Sequence, residues 1–267
     1  SIYTHMPLPK AKKALGQHFL QEASVAQQIV AALTLECTPP RTVLEIGPGT
    51  GALTSLLVQR PIADLYLVEV DAALATQLRQ RYPGLQDRIL HADFLQMPLA
   101  RVSTGPISII GNFPYNISSP IFFKVLAHRQ QVQEVVCMIQ REVAERLAAA
   151  PGSKAYGIPS VLLQAFYEVE YLFTVGPQAF HPPPKVESAV IRLQRNQVTH
   201  LDCDESLFFK VVKAGFQQRR KTLRNALKGL FPHVCEAALP WCQHRAEALS
   251  VADFVALTQR LAMEKKG

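Results

Sequence analysis

Three glycines in one short turn give the first indication of chemistry in this sequence. Gly47, Gly49 and Gly51 follow an apolar run that is typical of a buried parallel strand, and a stretch with helical spacing comes after them. The run is Val43–Ile46 and the helical stretch is 52–57. Glycines between a strand and a helix let the backbone approach a bound ligand, because no side chain intervenes. The pattern favours a nucleotide-cofactor loop, and a tight turn without a ligand is the alternative.

Glycine spacing and acidic residues narrow the choice of cofactor. A pyrophosphate-binding dehydrogenase loop reads Gly-x-Gly-x-x-Gly, whereas these glycines alternate and Glu45 precedes them, which favours S-adenosylmethionine over NAD. Glu69 ends the next apolar strand, 65–68, where an acidic side chain can accept both ribose hydroxyls. Asp93 follows a third short strand and can accept from an adenine amine, or else cap the next helix.

The stretch 107–115 places Asn112, Pro114 and Tyr115 directly after a fourth predicted strand, at the edge of the sheet where ligands bind. The amide oxygen of Asn112, with a backbone carbonyl at Phe113 or Pro114, can accept both hydrogens of an adenine amine and favour a pyramidal nitrogen aimed at a methyl donor. Tyr115 can stack on the base. An X-Pro turn with a buried tyrosine is the alternative. The position after a strand favours a catalytic site.

A cluster of cations lies late in the chain, at Arg219, Arg220, Lys221 and Arg224. Four cations within six residues can bind the backbone of RNA, and a solvated junction between helices is the alternative. The formal net charge of +7 agrees with a polyanionic partner. We therefore predict that these residues bind substrate.

The elements that must position these residues alternate between strand and helix. A fifth strand is predicted at 132–140, and an antiparallel pair at 168–175 and 188–193. The fold class is therefore α/β, a Rossmann-like methyltransferase with a mostly parallel seven-stranded sheet and a small C-terminal helical domain. Because residues 194–201 are polar and patternless, the predicted domains are 7–195 for methyl transfer and 202–267 for RNA binding.

Composition limits the class of protein further. A chain of 267 residues with 48% hydrophobic content can form an α/β core and a small second domain. Five cysteines without a Cys-x-x-Cys pair indicate neither a metal site nor a disulfide framework, and favour a reducing cytosol. No apolar run suits a membrane span and no signal-peptide pattern opens the chain, so we expect a cytoplasmic protein without a membrane partner. We also expect a monomer. Residues 1–6 are set aside because His5-Met6 resembles a cloning scar ahead of the natural start.

Four segments together resemble the ribosomal RNA adenine dimethylase family, nearly from end to end. They are 15–20, 45–51, 111–118 and 218–225. Gly16 and the Arg-Arg-Lys-Thr segment make the sequence more similar to the small-subunit (16S) branch of that family than to the large-subunit resistance methylases. The implied activity is methyl transfer to two adjacent adenosines near the 3′ end of small-subunit ribosomal RNA, each methylated twice.

The resemblance also implies roles for individual residues. The residues implied to contact S-adenosylmethionine are His18, Leu20, Gly47, Glu69, Asp93 and Asn112. Phe180 is implied to lie opposite Tyr115, so that a flipped adenine is held between two rings, and a core phenylalanine is the alternative. Position 18 is usually Asn in this family and is His here. An imidazole can still donate to a cofactor carboxylate.

Three other classes of protein are weighed against this one. A dehydrogenase is disfavoured by the glycine spacing. A large-subunit RNA methylase would be distinguished by the RNA that it modifies. A non-catalytic ribosome-assembly or transcription factor of the same ancestry would lack Asn112 or Tyr115, and both are present.

Overall fold

The computed structural model of the chain describes residues 17–34, 42–232 and 240–266. The strands in these ranges are β1 Phe19–Leu20, β2 Thr42–Ile46, β3 Asp64–Glu69, β4 Ile89–His91, β5 Ile107–Asn112, β6 Val132–Gln140, β7 Tyr167–Val175, β8 Phe180–His181 and β9 Ser188–Arg195. The α-helices are α1 Ala23–Ala31, α2 Thr54–Leu57, α3 Ala72–Arg81, α4 Ser118–Ala127, α5 Arg141–Leu147, α6 Ile158–Gln164, α7 Glu205–Gln217, α8 Leu223–Ala226 and α9 Val251–Lys266. None of these helices is long and apolar enough to cross a membrane.

Seven strands form one sheet in the order β4-β3-β2-β5-β6-β9-β7. Neighbours from β4 through β6 are parallel, and β9 runs antiparallel to β6. This arrangement confirms the predicted α/β class and its mostly parallel sheet. The strands β2, β5 and β6 are buried along most of their length, as apolar runs in a sheet covered on both faces must be.

The chain order of the strands reverses beside β2, because β3 lies on one side of β2 and β5 on the other. In register, Ile46 is opposite Val68, Glu69 is opposite His91, and Asn112 is opposite Met138. The carboxyl ends of these parallel strands therefore lie along one edge of the sheet. A crevice at such a reversal is where open α/β sheets bind ligands.

The chain divides into two compact units. The first contains the described residues up to Ala144 together with Glu168–Arg195, and the second contains Glu145–Tyr167 and the described residues from Asn196 onward. The structure thus differs from the predicted contiguous domains in the segment Glu145–Tyr167, which contributes to the second unit. Long-range bonds explain the difference, since the Tyr156 hydroxyl donates to the Leu249 carbonyl at 2.8 Å.

The second unit has its own apolar core. The ring of Phe216 in α7 lies 5.9 Å from the rings of both Tyr156 and Phe254, and Phe208 is buried beside them in the same helix. The helix α7 begins after Asp204, whose carboxylate accepts from the Leu207 amide at 2.7 Å. Its elements within the described residues are helices and one strand residue of β7, as predicted for a helical domain.

Candidate active site

The glycine loop lies between β2 and α2, the strand and helix between which the sequence predicts it. Gly47, Gly49 and Gly51 have φ values of 63°, 56° and 88°, in the left-handed region that side chains disfavour. A Cβ atom on Gly49 would lie 3.1 Å from the Phe19 ring, so the loop and this ring approach closely. A side chain at Gly49 would therefore be both strained and crowded.

Two buried carboxylates stand beside this loop. The oxygens of Glu69 accept from the amides of Gly49 at 2.9 Å and Asp71 at 3.0 Å, which fixes the side chain at the end of β3. Glu45 accepts from the Thr54 hydroxyl at 2.5 Å. Burial raises the pKa of Glu69, and burial raises the pKa of Glu45 to about 8, with the charge of Glu69 as a smaller cause. Glu45 is therefore mostly protonated at neutral pH.

A tight turn after β4 carries Asp93. Its carboxylate accepts from the Leu95 amide at 2.9 Å, and its carbonyl accepts from the Met97 amide at 2.9 Å. The side chain of Asp93 is half-buried, while Phe94 is buried behind it. These bonds close a turn, and no helix begins at Asp93 for it to cap, whereas the alternative interpretation expected one. The turn forms part of a cavity wall.

Asn112 ends β5 with its amide group oriented by a hydrogen bond. Its Nδ2 donates to the His18 carbonyl at 3.0 Å, which leaves Oδ1 as the acceptor. The hydroxyl of Tyr115 is hydrogen-bonded to the hydroxyl of buried Ser188. Burial raises the pKa of Tyr115, so the phenol stays neutral at physiological pH. Amide acceptor and aromatic ring thus stand together, as the sequence predicts.

Leu20 is held at the cavity by a small antiparallel sheet of β1 and β8, and His18 directly precedes β1. The His18 Nδ1 lies 2.7 Å from the Pro182 carbonyl, which can only accept, so Nδ1 carries a proton. A neutral imidazole then presents a lone pair at Nε2, and only the protonated ring presents an N–H there. Donation from His18 to a cofactor carboxylate therefore requires the imidazolium form.

One cavity of about 230 Å³ brings most of the predicted residues together, all within the first unit. Those that line it are His18, Leu20, Gly47, Gly49, Glu69, Asp93, Asn112, Phe113, Pro114, Tyr115 and Phe180. The same cavity is thus lined by the glycine loop, the acidic residues at the strand ends and the Asn-Phe-Pro-Tyr segment.

Gly51 and Phe180 are placed differently from expectation, whereas the burial of the Phe113 ring is compatible with the predicted contact through its backbone. Gly51 is not among the residues that line the cavity, and a Cβ there would approach Arg81 at 3.2 Å, so it shapes the turn. The Phe113 ring is buried against Phe122 at 6.0 Å, which leaves its backbone for a substrate. Phe180 is 4% exposed and belongs to the apolar core cluster of the first unit, so little of its ring is accessible for stacking.

The predicted cationic cluster divides into two kinds of residue. The guanidinium of Arg219 donates to the carbonyls of Tyr156 and Lys154, each at 2.7 Å, and pairs with Glu247 at 3.0 Å. These bonds brace the second unit and leave Arg219 poorly placed to bind RNA, which corrects the predicted role. Arg220, Lys221 and Arg224 are exposed.

Other residues at the cavity were not singled out by the sequence reasoning. Val70 follows Glu69, lines the cavity and is 45% exposed, which is unusual for a large apolar side chain. Lys124 and Ser188 contact cavity residues from α4 and β9. Val70 could have been identified from the sequence, because it is an apolar residue directly after the acidic residue that ends a strand. Nothing in the sequence around Lys124 or Ser188 indicates that these residues contact the cavity.

The buried Glu45 carboxyl should make the folded protein less stable as the pH rises. The unfolded chain loses this proton near the ordinary glutamate pKa of 4.5, whereas the native carboxyl keeps it until its raised pKa of about 8. Between these values the native state binds more protons, so stability falls by at most about 1.4 kcal/mol per pH unit. The isosteric, uncharged Glu45→Gln should lose this contribution.

Thermal melts of the wild type and Glu45→Gln across this pH range test the assignment. The melting temperature of the variant should rise relative to that of the wild type as the pH increases. Glu69 is present in both proteins, so the difference mainly reports the titration of Glu45, together with its smaller electrostatic coupling to Glu69. Melting curves that shift in parallel with pH would show that Glu45 is not titrating.

Comparison with known structures shows that this fold is shared with two solved proteins named as transferases that act on RNA or adenosine. A dimethyladenosine transferase from Plasmodium falciparum superposes with a TM-score of 0.79 at 23% identity, over 93% of this chain and 98% of that one. The 23S rRNA methyltransferase ErmE superposes with a TM-score of 0.71 at 26% identity, over 91% and 99%. The sequence profile of the ribosomal RNA adenine dimethylase family matches residues 9–262, and the chain belongs to this family.

Relatives with much higher identity carry a narrower name. The ribosomal RNA small subunit methyltransferase A of Cytophaga hutchinsonii is 54% identical over 253 residues, which cover 95% of this chain and 98% of that protein. The protein of the same name from Parabacteroides distasonis is 53% identical over 254 residues, or 95% and 94% of the two chains. Similarity at this level extends through both units.

Proposed function

We propose that this protein transfers methyl groups from S-adenosylmethionine to the N6 amines of two adjacent adenosines near the 3′ end of small-subunit ribosomal RNA, each twice. The main support for this proposal is that one cavity is lined by the glycine loop, Glu69, Asn112 and Tyr115. The names of the small-subunit methyltransferases support the choice of RNA. We place the activity in ribosome biogenesis in the cytoplasm, with the protein acting as a monomer.

The residues around the cavity fit S-adenosylmethionine chemically. The backbone of the glycine loop is accessible because no Cβ fills the space beside Phe19. The two Glu69 oxygens each accept from a backbone amide and retain lone pairs for ribose hydroxyls. Asp93 and Val70 supply a polar and an apolar wall. When bound, the cofactor supplies an electrophilic methyl group.

The base would be held by the segment after β5. With Nδ2 bound to the His18 carbonyl, the Oδ1 atom of Asn112 can accept a hydrogen of the adenine amine. A backbone carbonyl at Phe113 or Pro114 would accept the other hydrogen, which leaves the nitrogen lone pair directed away from both acceptors. Tyr115 stacks on the base, and its bond to Ser188 keeps the ring in place. The rate of methyl transfer then depends mainly on how the adenine amine is oriented toward the methyl group.

For RNA binding we assign the exposed members of the cationic cluster, Arg220, Lys221 and Arg224. Their exposure suits contacts with phosphates, which neutralise charge without reading sequence. Arg219 is assigned to the support of this surface, because its guanidinium holds the carbonyls of Lys154 and Tyr156.

Substitutions in the cationic cluster should have two different effects, depending on whether the residue is exposed or braces the second unit. Arg220→Gln combined with Lys221→Gln should weaken RNA binding and reduce the slope of log affinity against log salt by about 0.7–1.8. Each phosphate contact releases about 0.7–0.9 counterions, and the double variant would lose one or two such contacts. Arg219→Gln should instead lower the melting temperature and leave the slope nearly unchanged. Anisotropy titrations at several salt concentrations, with a thermal melt of each variant, measure both. A wild-type slope in the double variant would remove these residues from the RNA-binding surface.

The proposed function is tested with unmodified RNA and mass spectrometry. Transcribed 16S RNA, small-subunit particles reconstituted from it, and 23S RNA are each incubated with protein and S-adenosylmethionine. We expect dimethyladenosine at adjacent positions near the 3′ end of the 16S RNA, either in the free transcript or in the reconstituted particles. Modification of the 23S RNA alone would assign the protein to large-subunit methylation. If the protein binds the cofactor but methylates none of these substrates, a non-catalytic assembly factor would be favoured.

A further inference from the structure

A lysine behind the cavity wall makes an unusual set of contacts. Lys124 lies in α4, and its ammonium group donates to the carbonyls of Phe94 and Met97. The same ammonium lies 4.4 Å from the centroid of the Phe94 ring. Three contacts to one short turn are more than a surface lysine normally makes, since ammonium groups are strongly hydrated.

The turn that Lys124 holds is the part of the wall that carries Asp93. Residues Asp93 to Gln96 line the cavity, and the turn is closed from within by the Asp93 bonds to the Leu95 and Met97 amides. The carbonyls of Phe94 and Met97 are satisfied by Lys124. Without the ammonium, these two acceptors would lose a charged donor in a partly buried place, which is costly.

We propose that Lys124 is a positioning residue that fixes the Asp93 turn for the adenine of the cofactor. This inference rests on the proposed function and assigns a role to a residue that touches neither cofactor nor substrate. The ammonium bonds the turn from behind, so that the Asp93 carboxylate and the neighbouring backbone keep a fixed position at the cavity.

The charge of Lys124 is expected to vary within an accessible pH range. Burial lowers its pKa to about 8, while the opposite charge of Asp93 acts to raise it. His128 directly follows α4, one helical turn after Lys124, and its ring is hydrogen-bonded to the Lys124 carbonyl at 3.0 Å. Above about pH 8 the amine loses a proton and a donor, and its grip on the two carbonyls weakens.

The test uses 5′-methylthioadenosine, which contains adenine and ribose but no amino or carboxyl group that titrates near pH 8. Its affinity is measured by calorimetry for the wild type, Lys124→Met, Lys124→Arg and the control Lys213→Met, an exposed lysine of α7. At about pH 7, Lys124→Met should bind at least roughly tenfold more weakly than the wild type, because the charged donor is lost. The control should bind as the wild type does.

The pH dependence distinguishes positioning from a merely structural role. Arginine stays protonated throughout, so between about pH 7 and 9.5 the wild type should lose affinity at least roughly threefold more than Lys124→Arg. Glu45 and Glu69 also titrate at the cavity, but they are present in both proteins and cancel in the comparison.

If Lys124→Met is folded and binds within twofold of the wild type, the inference is overturned. If that variant does not fold, equal pH profiles for the wild type and Lys124→Arg overturn it, and the expected divergence supports it. If the wild type binds neither 5′-methylthioadenosine nor S-adenosylmethionine, the proposed function fails instead, which keeps the two failures distinguishable.

Discussion

Replacing Asn112 with alanine should lower the turnover of methyl transfer by about 10²–10³-fold, which is typical of the loss of one preorganised polar contact in an active site. The amide of Asn112 is held at the end of β5 by its bond to the His18 carbonyl, so Oδ1 needs no reorientation when a base arrives. Alanine removes the acceptor that orients the amine, and nothing in the new side chain can replace it.

Binding and catalysis must be measured separately for this variant, because Asn112 also stands among the residues predicted to contact the cofactor. We expect calorimetry to show a much smaller loss of S-adenosylmethionine affinity than the loss of turnover. Asn116→Ala is the matched control, since Asn116 also lines the cavity but is exposed. Turnover of Asn112→Ala within tenfold of the wild type would exclude the proposed role in orienting the amine.

Replacing Gly111 with alanine should destabilise the first unit by about 3 kcal/mol, the upper end of the usual cost of overpacking, or roughly 6–12 °C in melting temperature. A Cβ at this position would lie 2.5 Å from the Ile46 carbonyl oxygen and 3.1 Å from the Phe113 ring. The first neighbour is backbone at the end of β2, directly before the glycine loop, so it cannot rotate away. Strands β2 and β5 must separate to admit the methyl group.

Gly84→Ala provides the control for this prediction. A Cβ on Gly84 would meet no described atom within 4 Å, so the change should alter stability by less than about 0.5 kcal/mol. Differential scanning calorimetry of both variants measures the difference. Because Gly111 lies beside Asn112, folded Gly111→Ala protein should also bind S-adenosylmethionine more weakly. Equal melting temperatures for the two alanine variants would contradict the close approach of the strands.

Local sequence determined most of the cofactor side of the site. Alternating glycines after an apolar run predicted a loop between a strand and a helix, and the structure has this loop between β2 and α2, with all three glycines at positive φ. The predicted bounds of β6, 132–140, are those observed. Such features follow from the sequence because backbone conformation and the burial period of a strand depend on neighbouring residues. Parallel order then placed Glu69 and Asn112 at one edge.

The roles of individual long side chains were decided only by the tertiary structure. The sequence shows four adjacent cations, but not that Arg219 bonds carbonyls more than sixty residues earlier while Arg220 is exposed. It likewise does not show that the Phe113 ring is buried, or that Lys124 holds the turn of Asp93. Residue type and spacing specify which bonds a side chain is able to make. Which bonds it makes depends on the partners that folding brings within reach, and these lie far away in sequence.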